Sequence, residues 1–171
     1  SADPVELRGD VSELVEGFDI TRFGAAPTKF DVEDLYPLTA RLLQGLPLEA
    51  VAGDVAAAGV PDEIAAPFWA VMKDNITTLK DLGPWWEMLR DGATPDVADE
   101  DRDFIAFAFG LLPEPPYDAT TWGAWTDAVK KESGRKGKGL FMPLRKALTG
   151  QARGPEMAAL MPLIQKVNKT F

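Results

Sequence analysis

The sequence predicts an all-α protein built from two packed helical subdomains. Apolar residues recur at helical spacing through most segments, Pro and Gly fall between those segments, and no stretch shows the period-two alternation of a half-buried strand. At 171 residues, the chain is long enough for one substantial core or two small ones.

The elements follow in order. Val5, Leu7, Val11, Leu14, Val15 and Phe18 keep close to helical spacing, and Gly24 to Pro27 break it. Asp31 is the candidate N-cap of the next helix, with Asp34 in the capping-box position. Leu35, Leu38, Leu42 and Leu43 form its stripe, closed by Gly45 and Pro47. Glu49 to Ala58 reads as a short Ala-rich helix stopped by Gly59 and Pro61. A helix over Pro67 to Leu82 would bury Phe68, Val71, Met72, Ile76 and Leu79 and end at Gly83-Pro84. Trp85 and Trp86 follow, before an Asp91-Gly92 turn. The polar stretch from Ala93 to Asp99 is the expected boundary between the subdomains.

Asp101 to Leu112 is the next expected helix, rich in Phe104, Phe107 and Phe109, and Pro113 to Pro116 form a rigid connector. Thr120, the candidate cap, opens a helix to Lys131 that carries Trp122 and Trp125. A Gly- and Lys-rich loop covers Ser133 to Gly139. Leu140 to Leu148 reads as helical, which places Pro143 in a first turn, and Thr149-Gly150 stops it. Pro155 to Val167 is the last expected helix, with Pro162 kinking it or starting a new one.

Composition narrows the chemistry. The chain has no Cys and no His. That excludes disulfides, thiolate and imidazole zinc sites, and His-assisted nucleophiles. No apolar run approaches the roughly 20 residues of a membrane helix, and the acidic start lacks a secretory pattern, so a cytoplasmic protein is expected. Charge is unevenly spread. Residues 1–100 carry 20 acidic and 7 basic side chains, whereas residues 128–171 carry 2 acidic and 10 basic. A basic end on an acidic body can grip phosphates locally, although a solvated helix face explains the same charges.

No Walker A loop, dinucleotide fingerprint, His-Glu-x-x-His or calcium loop is present. The acidic clusters Asp31, Glu33, Asp34 and Asp99, Glu100, Asp101, Asp103 sit at expected helix starts, where the dipole accounts for them, so no metal site is expected. Trp85-Trp86 and Trp122 with Trp125 are candidate base-stacking platforms, with core packing the commoner role at such spacing. The segment Gly134 to Gly150 carries the clearest signal. Its glycines let backbone N–H groups approach an anion; Arg135, Lys136 and Lys138 supply charge; a helix N-terminus follows, with Arg145 and Lys146 on that helix. An exposed basic hinge is the competing reading.

The same segment resembles bacterial glutamyl-tRNA synthetases: a Gly/Lys loop, Pro143-Leu-Arg145, a small helix, and Ala147-Leu-Thr-Gly150. Glu13 to Asp19, Ala26-Pro27, Lys29 to Asp31, Leu35 to Leu43, Asn75 to Leu82 and Gly154 to Glu156 resemble that family in the same order. The resemblance implies the anticodon-binding helix bundle of a class I aminoacyl-tRNA synthetase. Residues 1–40 would end the stem-contact region; 41–92 and 93–171 would form the first and second anticodon-binding subdomains. It implies tRNA for glutamate as partner, a monomer, and ATP with Mg held in a catalytic domain this chain lacks. The class I His-x-Gly-His and Lys-Met-Ser-Lys-Ser type signatures are absent, so no catalytic residue and no aminoacylation by this stretch alone are expected. The resemblance places Arg135, Lys136, Lys138, Arg145 and Lys146 on the tRNA backbone and Lys73, Asn75, Trp85 and Trp86 near the anticodon. Some members carry Arg where Asn75 stands. Asn lacks Arg's bidentate fork, which implies relaxed reading that also takes glutamine tRNA. The alternative is a helical protein-interaction module without RNA binding.

Overall fold

The computed structural model of the protein describes residues 10–16, 18, 19, 21 and 35–171. The expected break at Gly24–Pro27 and the helix opening at Asp31–Asp34 lie outside the described residues. So do residues 5–9 and 17 of the expected Val5–Phe18 helix, of which Val11–Glu16 (α1) is helical.

All regular structure among the described residues is helical. α2 spans Tyr36–Gly45, α3 Leu48–Ala57, α4 Asp62–Met72, α5 Leu82–Asp91, α6 Arg102–Gly110, α7 Thr121–Ser133, α8 Lys138–Thr149 and α9 Met157–Leu160. Short 3-10 turns precede α5 (Leu79–Asp81) and α6 (Asp99–Asp101) and follow α9 (Met161–Leu163).

α3 packs on α4 and α5, while α6 and α7 pack on α8. α9 lies against α7, and the turn after it touches α4. One apolar cluster therefore runs continuously from Leu43 to Ile164. Phe68, Met72, Leu82 and Leu89 are fully buried in its first part, and Ile105, Trp125, Leu140 and Leu144 in its second. Two buried indoles find acceptors: Trp69 donates to the Leu46 carbonyl (3.0 Å) and Trp125 to that of Ala108 (2.7 Å).

Three local expectations are corrected and a fourth is refined. The single helix over Pro67 to Leu82 is instead α4, a turn, and α5. The Asp81 carboxylate accepts from the Thr77 and Thr78 N–H groups (2.8 and 2.9 Å) in a capping box with Thr78, and that local competition stops helix propagation. Thr120 holds the N-cap position of α7 as expected, but its side chain makes no capping bond, and Asp118 supplies the acceptor instead. Asp118 Oδ1 accepts from the N–H groups of Thr120 (2.8 Å) and Thr121 (3.0 Å), and the Asp118 N–H donates to Thr121 Oγ1 (3.0 Å). Pro143 lies inside α8 rather than in its first turn. Having no N–H, it leaves the Gly139 carbonyl without its helical donor, and Arg135 Nη1 stands 3.4 Å from that oxygen.

The last helix is also shorter than expected. Pro162 cannot donate to the preceding turn, so α9 ends at Leu160 and the chain runs on without helix from Ile164 to Phe171. This tail crosses back over the molecule. The Gln165 N–H donates to the Leu89 carbonyl (2.8 Å), and Asn168 Nδ2 donates to that of Ala93 (2.9 Å). Lys169 pairs with Glu114 (2.9 Å), and Arg102 donates to the Phe171 carbonyl (3.0 Å).

The core and the α7 cap each set a measurable stability. Leu89→Ala, at a position with no exposed surface, should cost about 3 kcal/mol in a urea melt, as a core truncation that leaves a cavity. The hydrogen bonds from Thr120 and then Thr121 hold the Asp118 carboxyl below its ordinary value of 3.8. A lowered carboxyl stabilises the fold above that value and ceases to do so as pH falls through the folded-state value. Asp118→Asn should therefore lower the Tm at pH 7, and the difference from wild type should shrink as pH falls through the lowered folded-state value.

Candidate nucleic-acid interface

The basic loop is built from two glycines and two helix ends. Gly134 (φ 72°) is the left-handed cap of α7, and Gly137 (φ 53°, ψ −140°) stands where α8 begins. Lys130 and Lys131 occupy the last turn of α7. Lys136 and Lys138 follow, and all four lysines are exposed. The N-terminus of α8 has no side-chain cap and no acidic residue in its first turn. Lys130, Lys131 and Lys136 line an open cavity of about 460 Å³ with Asp127 and Gly134. Exposed lysines beside an uncapped helix start make an anion-attracting surface.

The other three cations of the segment point elsewhere. Arg135 is drawn inward, its guanidinium 3.8 Å above the Phe104 ring and its Nη1 2.5 Å from Asp101. Lys146 pairs with Asp96 at 2.7 Å. Arg145 Nη2 donates to the Pro155 carbonyl (2.5 Å), while its Nη1 is buried without a partner. Burial pushes the Arg145 pKa below the ordinary arginine value, partly offset by Glu156. The five cations singled out in the sequence thus fall into three environments rather than one strip.

A second cavity, of about 330 Å³, opens where α5 meets the loop after α8. Asn75, Asp81, Pro84, Trp85, Gln151, Arg153 and Gly154 line it. Gly154 (φ 141°) lies flat against the Trp85 ring: a Cβ there would stand 2.8 Å from Trp85 Cη2 and 3.5 Å from Arg145 Nη1. Asn75 is exposed and turns its amide back to the Val71 carbonyl at the end of α4 (2.8 Å). Lys73, half-buried, caps that same helix. The cavity offers an exposed guanidinium, two amides and the Asp81 carboxylate beside the edge of Trp85, which is itself largely core at 9% exposure, a set that suits a flat polar ring meeting the indole only at its rim.

Trp86 is not available as a platform. It is 3% exposed, packed edge-on to Phe68 with centroids 5.9 Å apart, and its Nε1 is buried without an acceptor. Trp125 is likewise core at 2% exposure, with half-buried Trp122 edge-on to it at 5.7 Å. Lys130, Lys131, Gln151 and Arg153 also line these two cavities, although the sequence pattern does not single them out. Position alone marks three of them: Arg153 follows the helix stop at Gly150 in a loop that must fold back, and the two lysines abut the Gly/Lys loop.

Residues 38–168 match the family described as anticodon binding domain. The chain belongs to that family. It is 68% identical to glutamate–tRNA ligase 1 of Roseobacter denitrificans and 70% identical to glutamate–tRNA ligase 1 of Ruegeria pomeroyi, each over 98% of the chain. It spans 38% of the length of these relatives. A glutamate–tRNA synthetase structure from Elizabethkingia anophelis shares the fold, with a TM-score of 0.62 and 22% identity over 90% of this chain and 33% of that one. No helix among the described residues is long and apolar enough to cross a membrane.

The close approach at Gly154 is testable. Gly154→Ala adds a methyl where Trp85 already stands and strains a φ of 141°. It should cost about 1–3 kcal/mol, the range for a residue forced into a sparsely populated backbone region, and should shift the Trp85 indole resonance while leaving that of Trp125 in place.

Proposed function

We propose that this chain is the part of a glutamate–tRNA ligase that binds the anticodon arm of tRNA. The whole protein then joins glutamate to its tRNA at the expense of ATP, with that chemistry housed in the portion of the relatives that this chain does not span. The observation that carries the reading is the Trp85 cavity, set in a chain of the anticodon-binding family and accompanied by the exposed lysines of the α7–α8 loop.

In this reading, single-stranded anticodon bases enter the cavity. A base meets the edge of Trp85, and Arg153, Gln151 and Asn75 supply hydrogen bonds to base edges. The unpartnered Arg145 Nη1 behind Gly154 adds a positive field at the cavity wall. Lys136 and Lys138, with Lys130 and Lys131, neutralise phosphates and fix the register of the arm. The subdomains of residues 41–92 and 93–171 each contribute to the cavity: Asn75 and Trp85 come from the first, Gln151 and Arg153 from the second. Asn75, uncharged and turned toward Val71, favours relaxed choice between glutamate and glutamine tRNAs.

Binding of the purified chain to glutamate tRNA, the same tRNA with an unrelated anticodon, and glutamine tRNA tests this reading. Glutamate tRNA should bind at least about tenfold tighter than the anticodon swap, roughly 1.4 kcal/mol, and glutamine tRNA should bind comparably to glutamate tRNA. Equal, salt-sensitive binding to all three would overturn the base-reading role of the cavity. Arg153→Ala should weaken glutamate tRNA binding about tenfold, again roughly 1.4 kcal/mol, and affect the swap little. Lys136→Glu and Lys138→Glu should instead weaken all three and flatten the salt dependence by about 0.7 for each phosphate that the variant no longer neutralises.

A further inference from the structure

Two cations of the basic region are already occupied, and both partners come from one segment. Asp101 Oδ1 stands 2.5 Å from Arg135 Nη1, and Asp96 Oδ2 stands 2.7 Å from Lys146 Nζ. The segment between α5 and α6 that carries both aspartates is fastened to α8. The Asp96 N–H donates to the Lys146 carbonyl (3.2 Å), and Gly150 packs so closely that a Cβ would stand 2.8 Å from the Thr94 carbonyl. A small cavity of about 150 Å³ between segment and helix is lined by Asp96, Asp101 and Lys146 among others. Lys130, Lys131, Lys136 and Lys138, by contrast, have no carboxylate within ion-pair distance among the described residues.

A carboxylate at such a distance holds the place a phosphate oxygen would take on the same cation. We propose that Asp96 and Asp101 act as built-in phosphate substitutes, which withhold Lys146 and Arg135 from polyanions of any sequence and so set the strength of generic backbone binding. The proposal rests on the RNA-binding reading above for its biological sense, though the charge screening itself is independent of anticodon recognition.

The physical argument is counterion release. Each phosphate neutralised by a free cation adds about 0.7 to the salt slope of binding to a single strand, whatever its sequence. A cation already neutralised by a fixed carboxylate adds little, because an internal ion pair must break first. Screening therefore lowers affinity for all polyanions alike, while contacts in the Trp85 cavity are untouched. The ratio of cognate to swapped tRNA is then unchanged, and what screening limits is how firmly any polyanion is held. Both cations are within reach of a ligand once unpaired: the side chains of Lys146 and Arg135 keep 30% and 34% exposure.

The test compares wild type, Asp96→Asn, Asp101→Asn and a control, Asp54→Asn. Asp54 is an exposed acid on α3 in no ion pair among the described residues, so its loss changes net charge equally without freeing a cation. Inorganic polyphosphate, glutamate tRNA and the anticodon-swapped tRNA are titrated over a salt series. Asp96→Asn should steepen the polyphosphate slope by about 0.7 and tighten glutamate tRNA and the swapped tRNA several-fold by a similar factor. Asp101→Asn should do the same if a thermal melt shows it folded. Asp96, whose side chain is 53% exposed, carries the decision should Asp101→Asn unfold. An unchanged slope in folded Asp96→Asn, or an equal rise in Asp54→Asn, would overturn the proposal. If wild type shows no preference for glutamate tRNA while Asp96→Asn still steepens the polyphosphate slope, the anticodon reading fails and the screening stands.

Discussion

The return of the C-terminal tail onto the end of α5 is the constraint on which the rest of the arrangement depends. α5 ends at Gly92, whose φ of 85° turns the chain out of the helix. That turn brings Gly92 so close to Asn168 that a Cβ would stand 3.1 Å from the Asn168 backbone nitrogen. The Gln165 and Asn168 hydrogen bonds to Leu89 and Ala93 then satisfy carbonyls at the helix end that would otherwise lack partners. One short stretch thus joins the early helices to the late ones. It also places the chain before it, from Gln151 to Gly154, over Trp85, where the cavity forms.

Glycine has a specific role in that closure. Gly150 ends α8 in a left-handed conformation and lies against the Thr94 carbonyl, and Gly154 lies against the Trp85 ring. Both approaches are too close for any side chain. The loop between them can therefore press onto α5 on one side and onto the segment carrying Asp96 on the other. Through these two glycines, the backbone that shapes the cavity is coupled to the backbone that screens Lys146.

Much of this fold is legible in the sequence. Hydrophobic spacing and Pro/Gly punctuation locate α3, α6, α7 and α8 within a few residues, because a Pro, a Gly or an acidic start bounds each apolar run. Two of the local departures share one cause. Asp81 and Asp118 settle helix ends through side-chain hydrogen bonds over two to four residues, which a hydrophobic period does not register. Pro162 reads locally as a kink or a new start, but the tail beyond it is held by hydrogen bonds to residues 75 and 76 positions away, beyond any local pattern. The candidate site divides in the same way. Lys136 and Lys138 are exposed where the loop chemistry puts them, whereas the environments of Arg135, Arg145 and Lys146 depend on Asp101, Pro155 and Asp96, which only tertiary structure brings near.

A net charge of −9 conflicts with the proposed RNA binding only if charge is averaged. Coulomb interactions between exposed groups fade beyond about 10 Å in physiological salt. What a phosphate meets is therefore the local set, and near the α7–α8 loop four exposed lysines and a helix N-terminus outweigh Asp127 and Glu132. The acidic residues of α3 and α4 lie in the other part of the sequence, and in the proposed complex they would disfavour RNA docked against that face. Carboxylates next to the cations have a different effect, because at 2.5 and 2.7 Å they cancel particular charges rather than shape a distant field. The acid content of this chain thus works at two ranges. At long range it limits which face RNA can approach; at contact range it limits how many cations on that face can grip a backbone of any sequence. Both effects lower raw affinity, and both leave the discriminating contacts of the Trp85 cavity intact.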